Sequence, residues 1–205
     1  MQDYSVKDVL AGAVYQQDEL EAEALAYLRE PSRTESEYSA EIASLRQIGL
    51  DKQDDKVILL FSDTPDGAFC AWVNAKFIQS EKPAVLNLEK NVIRIPGLNT
   101  ENAEDFVNIG LRRLITTIEK LVDDYKGYQI YLNFTGGYKG IIPALTDVAI
   151  RKVLPLYYLF EPDEELKHPE LIKILFQSGK LKYYLESKQD YIVQVGQERI
   201  NDERV

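Results

Sequence analysis

Residues 128–143 combine a strand pattern with a turn that leads into a helix: Tyr128-Gln-Ile-Tyr-Leu-Asn-Phe-Thr-Gly-Gly-Tyr-Lys-Gly-Ile-Ile-Pro143. The apolar run that ends at Phe134 is typical of a core strand. Pro143 is tolerated only in the first turn of a helix, because its ring has no N–H and clashes with a preceding turn. A helix therefore begins near Gly140 and ends near residue 152, and residues 135–139 form the turn.

The same strand-to-helix pattern occurs earlier in the chain. Residues 56–61 form a nearly continuous apolar run, which is typical of a parallel strand covered on both faces. Thr64 is a good helix N-cap and Pro65 suits a first helical position, so a helix is predicted over residues 65–79. Apolar patterns predict a strand at residues 153–160 and two short strand candidates at residues 84–88 and 92–95, of which only one need be a central strand. A helix is predicted at residues 103–125 with Asn102 and Asp105 as its cap pair.

Alternating strands and helices predict a doubly wound α/β fold with a mainly parallel, Rossmann-like sheet. Three regions follow from the pattern. They are a helical N-terminal segment at residues 1–35, a Rossmann-like domain at residues 36–176, and a C-terminal extension at residues 177–205. Residues 181–195 fit a hairpin, which could serve as an edge of the sheet or as a dimerisation arm.

Composition limits the classes of partner. The chain has 205 residues, 45% of them hydrophobic, and a net charge of −10, which argues against a broad contact with duplex DNA. No apolar run is long enough to span a membrane and no signal peptide is evident, so a cytoplasmic location is expected. Cys70 is expected to pack in the core, and His168 to be an ordinary surface residue. Neither a metal site nor a cofactor is predicted.

The turn between the strand and the Pro143 helix carries the candidate chemistry. In such folds, ligands bind beyond the carboxyl ends of the strands, where turn N–H groups and a helix N-terminus meet. The candidate ligand-binding residues of this turn are Asn133, Thr135, Gly136, Gly137, Tyr138, Lys139 and Gly140. The paired glycines allow a close backbone approach, and Lys139 supplies a positive charge. Tyr138 either stacks on a base or packs, and the alternative for the whole segment is a tight turn with a solvated lysine.

Three polar residues follow the strand at residues 56–61. Ser62, Asp63 and Thr64 are predicted at the same sheet edge as the turn, which makes them secondary candidates for binding. The competing interpretation is structural, because Thr64 caps the next helix and acidic residues complement its dipole.

These residues resemble a group of CRISPR-associated Rossmann-fold (CARF) proteins, whose signature is an Asn-x-Thr-Gly-Gly-[Phe/Tyr]-Lys turn after a core strand. The turn matches at Asn133, Thr135, Gly136, Gly137, Tyr138 and Lys139. Three more segments resemble the family in its usual order: Ala40-Glu-Ile-Ala-Ser-Leu45, Leu59-Leu-Phe-Ser-Asp-Thr64 and Pro155-Leu-Tyr-Tyr-Leu-Phe-Glu161. Members usually open with a strand and a Ser/Gly-rich loop, whereas a helix is predicted here.

The resemblance implies a homodimer that binds a cyclic oligoadenylate, commonly cyclic tetra-adenylate, produced by type III CRISPR complexes in antiviral defence. It implies that the turn at residues 135–139 contacts phosphates and riboses. Some relatives join this sensor to a membrane segment, so an N-terminal anchor in a longer form would tether the protein to the inner membrane.

Two other functions compete with the sensor. A ring nuclease would cleave cyclic tetra-adenylate by attack of a ribose 2′-hydroxyl on the adjacent phosphate, with Lys139 stabilising the transition-state charge as the catalytic residue. An ordinary dinucleotide-binding domain is disfavoured, because no Gly-x-Gly-x-x-Gly motif follows a predicted strand.

Overall fold

A computed structural model describes residues 17–32, 38–49, 54–160, 169–185 and 190–195. Within these ranges, side chains are described for residues 19–185. The chain divides into two compact units, Met1–Leu121 and Val122–Val205. Residues 1–16 and 33–35 of the predicted helical N-terminal segment lie outside the described residues. His168, predicted at the surface, also lies outside them.

Two helices open the described part of the first unit. Helix α1 spans Gln17–Leu28, within the N-terminal segment predicted to be helical, and α2 spans Ala40–Ile48. The hydroxyl of Ser39 caps α2 by accepting a hydrogen bond from the Ile42 N–H. Gly49 ends α2 with φ +79°, and its N–H donates to the Leu45 carbonyl.

A parallel strand–helix–strand unit follows. It consists of β1 at Leu59–Ser62, α3 at Pro65–Glu81 and β2 at Val92–Ile95, with Leu59 paired to Val92. Thr64 caps α3 as predicted, because its hydroxyl accepts a hydrogen bond from the Gly67 N–H at 3.1 Å. Cys70 is exposed on α3, so its predicted place in the core was wrong.

The predicted strand at residues 84–88 does not form. The Val57 N–H donates to the Val85 carbonyl, but the Val85 N–H donates back to Lys82 instead of continuing a ladder. The side chain of Asn91 then accepts a hydrogen bond from the Asn87 N–H and closes a turn. Val85 and Leu86 are nevertheless buried, so their apolar character reflects a core loop and not a strand.

The helix predicted over residues 103–125 contains an irregular segment. It begins with α4 at Ala103–Asp105, continues as a π-helix at Phe106–Gly110 and ends with α5 at Leu111–Asp124. The predicted cap is confirmed, because the Asn102 side chain accepts hydrogen bonds from Glu104 and Asp105 N–H groups and donates to the Asp105 carboxylate.

The second unit contains a five-stranded sheet in the order β3-β4-β5-β6-β7. The strands are Leu132–Asn133, Leu156–Phe160, Glu170–Gln177, Lys180–Leu185 and Asp190–Val195. β3 and β4 are parallel and joined through α6 at Ile142–Lys152, whereas the last three pairs are antiparallel. The predicted C-terminal hairpin is therefore confirmed as part of a three-stranded meander.

The strand predicted at residues 128–134 is shorter than its apolar pattern suggests. Only Leu132 and Asn133 are in β3. The Tyr128 N–H donates a hydrogen bond to the Tyr125 carbonyl, so residue 128 belongs to a turn and not to the strand. The α/β, Rossmann-like class is confirmed by the parallel β1–α3–β2 and β3–α6–β4 units. No helix within the described ranges has the length and apolar character needed to cross a bilayer.

Candidate ligand-binding turn

The turn at residues 134–141 is anchored at its start by the parallel pairing of β3 with β4. The Leu132 N–H donates to the Pro155 carbonyl at 2.9 Å, and the Phe134 N–H donates to the Tyr157 carbonyl at 3.0 Å. The end of β3 is thus fixed one residue before the turn, and the turn lies at the carboxyl edge of the sheet as predicted.

Thr135 and Asn133 shape the first half of the turn. The Thr135 hydroxyl donates to the Asn133 side-chain oxygen at 2.7 Å and accepts from the Leu159 N–H at 2.9 Å. The Thr135 N–H also donates to the same Asn133 oxygen, at 3.2 Å. Both side chains therefore support the turn and tie it to β4, and the Thr135 hydroxyl is already committed to two hydrogen bonds.

Gly137 gives the turn its sharp bend. Its φ of +102° lies in a region that other residues rarely adopt, which explains the requirement for glycine there. Within the described part of the chain, the N–H groups of Gly136 and Gly137 have no hydrogen-bond partner. Unpartnered amides in a bent segment are the groups that bind a phosphate oxygen.

The second half of the turn forms a single 3₁₀ turn, Lys139–Ile141, which leads into α6. Pro143 lies in the first turn of α6 as predicted, and no side chain caps this helix. Tyr138 is 54% exposed and Lys139 is also exposed. Among the described residues, the Lys139 ammonium has no ion-pair partner, so its charge is available to a ligand.

Ser62, Asp63 and Thr64 belong to the first unit, where local contacts hold all three. The Asp63 carboxylate accepts a hydrogen bond from the Gly97 N–H at 2.8 Å and forms an ion pair with Arg94. The Ser62 and Thr64 hydroxyls are 3.0 Å apart, and Thr64 also caps α3. These contacts support a structural role at the end of β1.

Sequence reasoning missed two contacts at these strand ends. Arg94 is the partner of Asp63, and the only signal for it is a charged residue within the apolar strand β2. The ring of Phe134 stacks on that of Tyr158, with centroids 5.4 Å apart and an angle of 21° between the ring planes. The strand register, which pairs Asn133 with Tyr157, was needed to find this second contact.

The arrangement offers amide donors and the Lys139 ammonium at the turn. Within the described ranges, no three His, Cys, Asp or Glu side chains meet where they could hold a metal ion. The geometry therefore suits a small anion bound by N–H groups, one ammonium and the start of α6.

These features define a Rossmann-like α/β protein with an exposed, lysine-bearing turn between a strand and a helix. The model of a family described as CRISPR-associated protein (Cas_APE2256) matches residues 36–169, which is more than half of the chain. The chain therefore belongs to this CRISPR-associated family. No curated protein matches the sequence.

Proposed function

We propose that this protein is a sensor that binds a cyclic oligoadenylate, with cyclic tetra-adenylate as the ring, in type III CRISPR defence. The turn at residues 134–141 carries the proposal. Its own hydrogen bonds fix its shape, while no described residue is a partner of the Gly136 and Gly137 amides or of the Lys139 ammonium. Membership of a CRISPR-associated family supports this choice over other small anions.

Preorganisation is the physical argument for binding at this turn. Thr135 links the turn to Asn133 and to the backbone of β4, so little further ordering is needed when a phosphate arrives. Lys139 contributes a compact positive charge beside the N-terminus of α6, where the helix dipole also favours an anion. A protein with a net charge of −10 needs such a local concentration of donors to hold a polyphosphate ring.

The proposed assembly is a homodimer that presents the turn twice. A ring of four phosphates has internal symmetry, which matches an isologous pair in which two Lys139 side chains flank one ligand. Binding would then change the relation between the two copies and pass the signal to an effector segment or partner.

Calorimetry with cyclic tetra-adenylate tests the assignment. Lys139→Ala should weaken binding by about 1.5–3 kcal/mol, the value of a charge-assisted contact, which is roughly tenfold or more in the dissociation constant. Lys152→Ala is the matched control, because it removes the same charge from the opposite end of α6. It should leave the affinity within about twofold. Equal affinities of the wild-type protein and Lys139→Ala, or no binding by the wild type, would overturn the proposal.

The same samples distinguish a sensor from a ring nuclease. The sensor returns intact cyclic tetra-adenylate after several hours of incubation, as seen by chromatography. Linear products that disappear in Lys139→Ala would instead assign cleavage to this turn.

A further inference from the structure

An aromatic stack lies directly beside the turn at residues 134–141. Phe134 and Tyr158 are both half-buried, and their rings are nearly parallel, with centroids 5.4 Å apart. Two other aromatic pairs among the described residues of this unit meet edge to face, Tyr125 with Tyr128 at 70° and Tyr131 with Tyr157 at 83°. Parallel, partly open rings are the arrangement on which a planar base adds to a stack.

The stack and the turn are connected by the backbone of β4. The Thr135 hydroxyl accepts a hydrogen bond from the Leu159 N–H, and Leu159 lies between Tyr158 and Phe160 in the chain. Phe134 immediately precedes Thr135. The aromatic stack and the start of the turn are therefore neighbours both along the chain and across β3 and β4.

The aromatic surface continues to the exposed end of β4. Tyr158 and Phe160 are two residues apart in one strand, so their side chains lie on the same face of the sheet. The parallel register places Phe134 on that face too. Phe160 is 49% exposed, which is unusual for phenylalanine and adds accessible ring surface at the same edge as the turn.

We infer that Phe134, Tyr158 and Phe160 form an adenine-stacking surface for a base of the bound ring. This inference rests on the proposed function and adds the residues that contact the base and favour a purine. The phosphate contacts at the turn carry no information about the base, whereas a stack prefers the large purine ring to a pyrimidine. The surface thus supplies a preference for purine bases, and the turn supplies charge recognition.

The opposite face of the same strands provides a control. Tyr131 meets Tyr157 edge to face, with centroids 5.4 Å apart and 83° between the ring planes. Tyr157 is almost fully buried and lies within 5.5 Å of the Lys173 ammonium, so this pair presents no parallel stack. Tyr131→Leu removes a partly exposed aromatic ring from the segment leading into β3 without touching the proposed surface.

The test compares cyclic tetra-adenylate with cyclic tetra-uridylate by calorimetry. Tyr158→Leu and Phe134→Leu should each weaken adenylate binding about tenfold or more and uridylate binding less than about threefold, because stacking on a purine is lost. Tyr158→Phe should restore the preference for adenylate, since it keeps the ring. Tyr131→Leu should leave both affinities unchanged.

A spectroscopic measurement on the unmodified protein covers the case in which a leucine variant fails to fold. A ring with one adenine replaced by 2-aminopurine should lose fluorescence on binding, because stacking on an aromatic ring quenches this base. Unquenched fluorescence in the bound state would overturn the inference.

The outcomes separate this inference from the proposed function. Equal losses of adenylate and uridylate affinity in the leucine variants, together with a loss in Lys139→Ala, would overturn the stacking surface and leave the sensor in place. A wild-type protein that binds neither ring would overturn both.

Discussion

At the scale of single residues, Asp63 is a candidate ligand-binding residue whose contacts also support the fold. Its carboxylate joins the end of β1 to Arg94 on β2 and to the Gly97 N–H, and both charged side chains are about one-fifth exposed. Asp63→Asn should lower the free energy of unfolding by about 1–3 kcal/mol, because a partly buried guanidinium loses its partner. Urea denaturation measures this change.

Glu89→Gln is the matched control for Asp63→Asn. It removes the same charge from an exposed turn, so the free energy of unfolding should change by less than about 0.5 kcal/mol. If both variants unfold at the wild-type urea concentration, the Asp63–Arg94 pair contributes nothing to stability.

Cys70 gives a prediction about pH. Partial desolvation by the surrounding protein raises the pKa of its thiol, and the carboxylates of Glu41 and Asp66 raise it further. Only the thiolate is nucleophilic, so iodoacetamide should modify Cys70 more slowly in the folded protein than in urea at pH 8. The rate should rise with pH along a curve whose midpoint lies above that of the unfolded chain.

Glu41→Gln checks the electrostatic part of this prediction. It removes one of the negative charges that disfavour the thiolate, so the pKa of Cys70 should fall and alkylation should become faster. A folded protein that reacts at the rate of the urea-unfolded chain would contradict the raised pKa.

Local signals made several residues predictable from the sequence, and long-range partners were not. The Thr64 cap and the position of Pro143 depend on their immediate neighbours, which the sequence contains. The contact between Asp63 and Arg94 spans 31 residues and depends on the register of β1 and β2. The hydrogen bond from Leu159 to Thr135 likewise exists only once β3 and β4 are paired.

At the scale of elements, the π-helix at Phe106–Gly110 makes a close backbone contact. A Cβ atom on Gly110 would lie 2.5 Å from the Gly97 carbonyl oxygen and 2.8 Å from the Leu98 Cα atom. Backbone atoms cannot move aside as a flexible side chain can, so Gly110→Ala should destabilise the protein by about 3 kcal/mol. Thermal unfolding measures the loss.

Gly127→Ala is the control for the π-helix prediction. Nothing lies within 4 Å of a Cβ atom at Gly127, and its φ is outside the left-handed region. This substitution should be neutral or raise stability by up to about 1 kcal/mol, because alanine restricts the unfolded chain. Equal stability of the two alanine variants would show that Gly97 and Gly110 are not in close contact.

The elements also show why apolar runs mislead about strands. Residues 84–88 and 128–131 have strand-like composition, but backbone hydrogen bonds to Lys82 and to Tyr125 close turns there. The burial of Val85 and Leu86 explains the apolar pattern without any strand. Periodicity reports which side chains are buried, and the ladder that defines a strand depends on a partner elsewhere in the chain.

At the scale of the whole molecule, the sequence predicted the α/β class. It did not indicate that the chain divides into two compact units, Met1–Leu121 and Val122–Val205. The apolar stripe of α5 continues through this boundary, so composition does not change there. The alternation of strands and helices was predictable because each βαβ unit is a local pattern. The proposed homodimer is a prediction at this scale. It rests on the family resemblance of the sequence and on a turn that two copies could present to one ring.

The stoichiometry of ligand binding tests this homodimer. If two copies of the turn share one ring, calorimetry should give one cyclic tetra-adenylate per two chains, and sedimentation should show a dimer in the bound state. Affinity should fall as NaCl is raised from about 50 to 500 mM, because ions screen the attraction between Lys139 and the phosphates. Duplex DNA should not bind at the lower salt concentration, since the chain carries a net charge of −10. One ring per chain on a sedimenting monomer would contradict a shared site, because each turn would then hold its own ligand.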